Sequence, residues 1–258
     1  SEIQIDLRKI KSLIQVFLVI LIPVVLTLLQ PDFGSALIFL SFIFVLFREG
    51  LNPNFVFFLA ISLVLALFSL IKPFFYVSVF LTGVFACFYF LSKKINKKAS
   101  IIPLVIAFIS SCIYVYSINY IYNDLLSQRH KDRIDIFLGK ETDIMGVGYN
   151  LNQSIIAIGS GGLSGKGYLQ GTQTKGKFVP RQHTDYIFST IGEEWGFYGT
   201  SIIIILFATL VLRILFRAEH QKNIFGRSYA YGTASLIFMH FLINVGMSIG
   251  LVPTIGIP

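Results

Sequence analysis

The chain has 258 residues, 55% of them hydrophobic and 13% charged, with a net charge of +8 and a mean hydropathy of +0.75. Surface-to-volume scaling leaves a soluble domain of this length no place to bury so much apolar side chain, which excludes a soluble enzyme, a secreted disulfide module and a disordered chain. The apolar runs are continuous, without the period-two alternation of a membrane β-barrel, so an all-α polytopic membrane protein remains.

A membrane-spanning helix needs about 20 mostly apolar residues. In chain order the spans are predicted at 11–29, 34–48, 53–71, 74–92, 101–122, 185–212 and 228–251, seven in a single membrane domain covering 1–258. The second is short. Only Gln30, Pro31 and Asp32 stand between the helical stretches near it, so the first two are expected to form an antiparallel pair turning at the membrane surface. Pro73 and Pro103 fall near helix starts, where the missing N–H is tolerated. Cys87 and Cys112 lie inside apolar runs and read as small buried hydrophobes.

With alternating spans, the connections and termini on one side hold Arg8, Lys9, Lys11, Arg48, Lys93, Lys94, Lys97, Lys98, Arg213, Arg217, Lys222 and Arg227. The short turns on the other side hold Lys72 alone. The positive-inside rule places the first set in the cytoplasm. The positive charge is thereby assigned to membrane orientation and not to nucleic acid. The long segment 123–184 is then expected outside.

That segment is too long for a mere connector, and its composition shifts to Gly, Ser, Thr, Gln, Lys and Arg. It opens with Gln-Arg-His-Lys-Asp-Arg-Ile (128–134), readable either as a solvated helix flank or as a surface that captures phosphates and anionic head groups. The apolar Ile-Ile-Ala-Ile (155–158) is expected to form a short interfacial or re-entrant helix. Gly-Ser-Gly-Gly-Leu-Ser-Gly-Lys-Gly (159–167) is a poor match to a nucleotide P-loop. It reads as a substrate-facing loop or a plain irregular one.

Asp185 stands where this polar loop meets the next apolar helix, beside His183. It can be an N-cap or first-turn acid favoured by the helix dipole, or a general base at the mouth of a membrane helix. Glu193 and Glu194 follow on the same helix. Uncompensated carboxylates inside a membrane are costly, so they are expected to face a polar cavity or a basic partner, or to project above the bilayer. His240 and Asn244, four apart on the last helix, share one face and read as an interhelical hydrogen-bond pair.

These residues together resemble the SEDS family (shape, elongation, division and sporulation proteins), on its RodA side. The resemblance begins at Gln-Pro-Asp-Phe-Gly-Ser-Ala-Leu (30–37) and continues through Arg133, Gly148-Tyr149, Gln153-Ser154, Ile158-Gly159-Ser160-Gly161-Gly162 and Gly165-Lys166-Gly167. Gly171-Thr172-Gln173-Thr174 is RodA-like. His183-Thr184-Asp185, Gly192-Glu193-Glu194-Trp195-Gly196-Phe197, Asn244 and Gly250-Leu251-Val252-Pro253-Thr254-Ile255-Gly256 complete it. The family often has Lys at the position of Ile155, Glu at Arg181 and Gln-Arg at His130-Lys131, and an extra apolar hairpin is inserted around 53–100. The family's fold has about ten spans, so the chain is expected to be a fragment.

The resemblance implies a peptidoglycan glycosyltransferase that polymerises lipid II on the outer face of the bacterial cytoplasmic membrane during cell elongation and shape maintenance, with a class B penicillin-binding protein as partner. It places the catalytic carboxylate on Asp185. Lys131, Arg133, Gln153, Lys166, Lys175, His183 and Thr184 are the implied substrate-binding residues, and Glu193, Glu194 and Asn244 the polar residues of the membrane part. A divalent cation, Mg or Mn, held by Asp185 would suit pyrophosphate departure; no organic cofactor is implied. Two other classes compete: a lipid II flippase or transporter, and a non-catalytic membrane scaffold for a penicillin-binding protein. A transporter is expected to show repeated halves and broken helices, and no repeat is visible in the sequence.

Overall fold

The computed structural model describes residues 10–30, 32–95, 100–140 and 148–257. Arg8, Lys9, Pro31, Lys97 and Lys98 lie outside the described residues, as does the stretch 141–147 of the long loop. The described part is helical, in the order α1 (Ile10–Leu29), α2 (Phe33–Leu40), α3 (Ile43–Arg48), α4 (Pro53–Ile71), α5 (Phe74–Ile95), α6 (Ile102–Tyr120), α7 (Gln128–Phe137), α8 (Tyr149–Gly161), α9 (Thr172–Lys175), α10 (Ile187–Glu219) and α11 (Ile224–Ser248). A π-helical turn, Ile121–Leu125, prolongs α6. Among the described residues six helices are long and apolar enough to cross a membrane: Lys11–Leu29, Pro53–Ile71, Phe74–Lys94, Ile102–Leu125, Ile187–Glu219 and Ile224–Ser248. Their exposed faces are crowded with Phe, Leu and Ile, as lipid contact requires.

The predicted span at 34–48 is a pair of short helices instead of one. Asp32 caps α2: its Oδ1 accepts from Ser35 N at 3.0 Å and its Oδ2 from Ser35 Oγ at 2.6 Å. These bonds hold its carboxyl below the ordinary 3.8. The helix ends at Ser41, whose carbonyl is taken by Ser235 Oγ of α11 at 2.8 Å. The pair nevertheless traverses the same thickness as α11. Gly34 lies against Ile257 near the C-terminal end of α11, and Glu49 pairs with Arg227 near its start. From Arg227 to Asn244 α11 rises about 25 Å, close to the thickness of a bilayer's hydrocarbon core.

The chain divides into two compact units, Ser1–Pro53 with Asp132–Pro258, and Asn54–Lys131. In the second, α5 and α6 pack around Val77, Leu81 and Val115. Two polar stitches tie α6 to α4: Asn119 Nδ2 donates to Ser69 Oγ at 2.7 Å and Tyr114 OH to the Ser62 carbonyl at 3.1 Å. Both cysteines belong to this unit and are free.

In the first unit α10 packs on α11 and on α8, and Ile38, Ile243, Met247 and Ile257 form a core where α2, α11 and the C-terminal segment meet. At the other end of α11 two bidentate ion pairs clamp three elements. Arg48 of α3 holds Glu219 of α10 (Nε–Oε1 3.0 Å, Nη2–Oε2 2.6 Å). Arg227 of α11 holds Glu49 (3.1 and 2.8 Å), which also accepts from Ser228 Oγ at 3.1 Å. Tyr231 OH donates to Glu219. Four of the basic or acidic residues at the predicted cytoplasmic ends are thus bonded to one another.

Candidate active site

The loop between α8 and α10 is built on glycine contacts. Helix α10 is broken at Gly196, whose φ of 63° and ψ of −157° lie outside the helical range. A break frees backbone groups that lipid cannot satisfy. Here the glycine-rich turn supplies the partners: Phe197 N donates to Gly162 O (2.9 Å), Tyr198 N to Leu163 O (3.1 Å), Lys166 N to Glu193 O (3.0 Å) and Gly167 N to Glu194 O (3.0 Å). Such contact between backbones leaves no room for side chains. A Cβ on Gly165 would overlap the Glu194 carbonyl, and one on Gly196 would overlap the Gly165 nitrogen. Both glycines also have positive φ. The 159–167 stretch is therefore a packed backbone element.

Glu193 fastens the same loop. Its side chain is fully buried and accepts from Lys166 Nζ at 2.8 Å, from Gln173 N and Thr174 N at 2.8 Å each, and from Thr172 Oγ1 at 3.2 Å. The two N–H groups belong to the first turn of α9, so the carboxylate from α10 also neutralises that helix end. The expectation of a basic partner for Glu193 is met by Lys166. The same pairing engages Lys166, one of the substrate-binding residues that the resemblance implies. Its Nζ donates to Glu193, Ser160 Oγ (2.7 Å) and Thr172 Oγ1 (2.7 Å), which occupies all three ammonium protons. Glu194 is buried as well, at 8% exposure.

Asp185 lies in the turn that leads into α10. The N-cap position is taken by Tyr186, with no side-chain capping bond, so Asp185 is not the cap that its position suggests. Its side chain is 15% exposed and faces Arg181, Nη1–Oδ2 3.4 Å. Arg181 has a φ of 53°, and its carbonyl accepts from Thr184 N, Thr184 Oγ1 and Tyr186 N. The cost of that left-handed residue is offset by a tight turn that aims the guanidinium at the carboxylate. Tyr186, 3% exposed, packs with Ala157 of α8 and Val179. Burial chiefly, and Asp185 next, push its hydroxyl up to about 12, while Arg133 and Arg181 oppose the rise. Arg133 therefore acts on the same spot as Asp185 and Arg181.

Two further elements wall the carboxylate. A Cβ on Gly256 would lie 3.5 Å from Asp185 Oδ2, which puts the C-terminal segment beside it. Asn244 Nδ2 donates to the carbonyls of Thr184 (3.3 Å), Asp185 (3.3 Å) and Ile257 (3.1 Å). The expected interhelical bond of Asn244 is therefore replaced by bonds to the turn before α10 and to the C-terminal segment. His240 does not share them; its Nδ1 contacts the Leu236 carbonyl of its own helix.

The remaining predicted residues are scattered around this arrangement. His183 and Thr184 are exposed in the turn, and Gln182 Nε2 lies 3.4 Å from His183 Nε2. Lys175 is exposed at the end of α9, and Gln153 is half-buried on α8. Next to it, Ser154 Oγ donates to the Ser248 carbonyl of α11 at 2.8 Å. Lys131 belongs to the other unit, where its Nζ donates to the Asn123 carbonyl at 2.5 Å.

Residues 53–258 match the family of cell cycle proteins that comprises FtsW, RodA and SpoVE. The chain belongs to that family. It is 32% identical over 260 residues to the peptidoglycan glycosyltransferase RodA of Treponema pallidum (strain Nichols), covering 92% of this chain and 60% of the relative. It is equally 32% identical over 240 residues to the peptidoglycan glycosyltransferase MrdB of Escherichia coli (strain K12), covering 93% and 51%. The chain therefore spans roughly half the length of the curated relatives it matches. Its fold is shared with a chain of a peptidoglycan synthase complex solved to show how polymerization and crosslinking are coordinated. The TM-score is 0.57 at 21% identity, over 96% of this chain and 55% of that one.

Proposed function

We propose that this chain carries the catalytic centre of a peptidoglycan glycosyltransferase that polymerises lipid II, and that Asp185 is its general base. The observation that carries the reading is Asp185 itself: a partly buried carboxylate just before α10 that faces the Arg181 guanidinium, beside a Tyr186 hydroxyl that also feels the charge of Arg133. In the reaction Asp185 takes the proton from the attacking sugar hydroxyl. The oxygen bonds the anomeric carbon of the second substrate, whose bond to the pyrophosphate breaks and whose electron pair leaves with the phosphate. Cations compensate the charge that develops on the leaving group. Arg133, Arg181 and Lys175 are the candidates, Arg by bidentate contact and Lys as a point charge.

Depth supports the same reading. Asn244, which holds the Asp185 carbonyl, stands about 25 Å above the charged start of α11. That is where the head group of a membrane-anchored substrate lies. Among the described residues no three His, Cys, Asp or Glu side chains gather into a metal cage. A lone Asp185 suits Mg or Mn, which bind through one or two carboxylates and complete their shell with substrate phosphate and water. Such an ion would supply charge neutralisation at the pyrophosphate.

The names of the relatives, and the neighbour's coupling of polymerization to crosslinking, support a partner of the class B penicillin-binding type. A place in the bacterial cytoplasmic membrane with loop 123–184 outside belongs to the same proposal and rests on the asymmetry of Lys and Arg between the short connections. A role in cell elongation belongs to it too and rests on the RodA resemblance. The flippase reading would draw on the break in α10, but the backbone freed there is bonded to the 162–167 turn, unlike the ion-coordinating breaks of transporters. The test is incubation of the full-length protein and its partner with lipid II. Polymer cleaved by a muramidase supports the proposal. Translocation across vesicles without polymer favours the flippase, and neither activity favours the scaffold.

A further inference from the structure

The base in this reading is held from behind by a side chain that the reaction itself does not require. Asn244 is 7% exposed on α11, and its amide is shared among three carbonyls, those of Thr184, Asp185 and Ile257. Ile257 is fixed in turn. It is 2% exposed, packs with Ile38, Ile243 and Met247, and sits over Gly34, where an added Cβ would lie 2.6 Å from its Cγ1. One amide thus ties the backbone of Asp185 to a buried core, where α2, α11 and the C-terminal segment meet. Gly256, the residue before that anchor, borders the Asp185 carboxylate.

Resting on the reading of Asp185 as base, we propose that Asn244 is a positioning residue that sets the height and direction of Asp185 at the membrane surface. Two N–H protons serve three acceptors, so the donors are shared and any shift of the turn loses a bond. A buried amide of this kind is strongly directional because the low local dielectric strengthens it. A general base must meet the hydroxyl proton within hydrogen-bond reach, and a displacement of about 1 Å costs on the order of 10²-fold in rate.

Asn244→Leu keeps the branched shape, with bulkier methyl groups, and removes the donors. In the lipid II assay kcat is expected to fall roughly 10- to 100-fold while KM moves much less, because Arg133 and Lys175 lie outside the turn that Asn244 holds. Asn244→Asp supplies a second reading if the leucine variant folds poorly. Its carboxylate offers no donor to the three carbonyls, whereas its protonated form offers one. Its activity relative to wild type is therefore expected to rise as the pH is lowered. Combined with Asp185→Asn, Asn244→Leu is expected to add no further loss, since positioning matters only while there is a base to position. Wild-type kcat in Asn244→Leu, a pH-independent ratio in Asn244→Asp, or full additivity in the double variant overturns the proposal. The two claims separate cleanly. An active Asp185→Asn protein removes the base assignment, whereas an inactive Asp185→Asn beside a fully active Asn244→Leu removes only the positioning role.

Discussion

Removing the Glu193 carboxylate should loosen the whole loop from Ser160 to Thr174. Glu193→Ala leaves two backbone N–H groups of α9, those of Gln173 and Thr174, without an acceptor, and the Lys166 ammonium without its counter-charge. Each buried donor left unpaired costs about 1–3 kcal/mol, and breaking a buried ion pair from one side costs about 3–5 kcal/mol. These overlap because one carboxylate serves all the donors. Lys166 is 25% exposed and can turn to water, which lowers its share. The net expectation is about 3–5 kcal/mol. At about 2–4 °C per kcal/mol for a chain of this size, the unfolding midpoint of the detergent-solubilised protein should drop by roughly 6–20 °C. Limited proteolysis should cut first between Gly161 and Lys177. Lys166→Met should cost less, since the carboxylate keeps the two N–H bonds. A Glu193→Ala protein with an unchanged midpoint and an uncut loop would refute the view of Glu193 as the loop's anchor.

Other perturbations reach the remaining contacts. Gly165→Ala, at positive φ and against the Glu194 carbonyl, should destabilise by more than about 1 kcal/mol, the scale of the backbone penalty alone; a normal midpoint would mean that the turn stands off α10. Asp32 and Glu49 both titrate below their ordinary values of 3.8 and 4.5, the first through its bonds to Ser35 and the second through Arg227. Their contribution is complete above those values and lost as the pH falls through the lowered ones, so the midpoint should decline below about pH 4.5, and less in an Asp32→Asn/Glu49→Gln protein. Cysteine at exposed Ser164 should react with an impermeant maleimide in intact spheroplasts; labelling only after lysis would invert the topology.

How far these features can be read in advance depends on where their partners lie in the chain. The span 53–71 is recovered to the residue because hydropathy is a local property, and α8 follows from its apolar Ile-Ile-Ala-Ile core. The need of Glu193 for a cation is legible from charge alone, but the identity of Lys166, 27 residues earlier, is not. Nor is the break in α10, since the helical pattern runs through Gly196 and the groups that relieve the break come from the 162–167 turn. The recurrence of glycine at 161, 162, 165, 192 and 196 is the signal that two backbones approach each other. Asp185 stands out in the sequence as the acid at the junction of polar loop and apolar helix, while its position just outside the cap, its Arg181 partner and the Asn244 tether depend on a turn that wraps around a left-handed arginine.

If Asp185 accepts the proton in glycan polymerisation, its loss must stop the chemistry and spare the fold. The most direct measurement is the rate of lipid II polymerisation by the full-length protein with its partner, wild type against Asp185→Asn, with the unfolding midpoint and partner binding of both recorded. The substitution keeps the shape and removes the proton acceptor. Folding stability should stay within about 1 kcal/mol of wild type, the most that loss of the exposed Arg181 contact should cost, and the rate should be at least roughly 10²-fold lower. Glycan made at a near-normal rate by a well-folded Asp185→Asn protein would show that Asp185 is not the base.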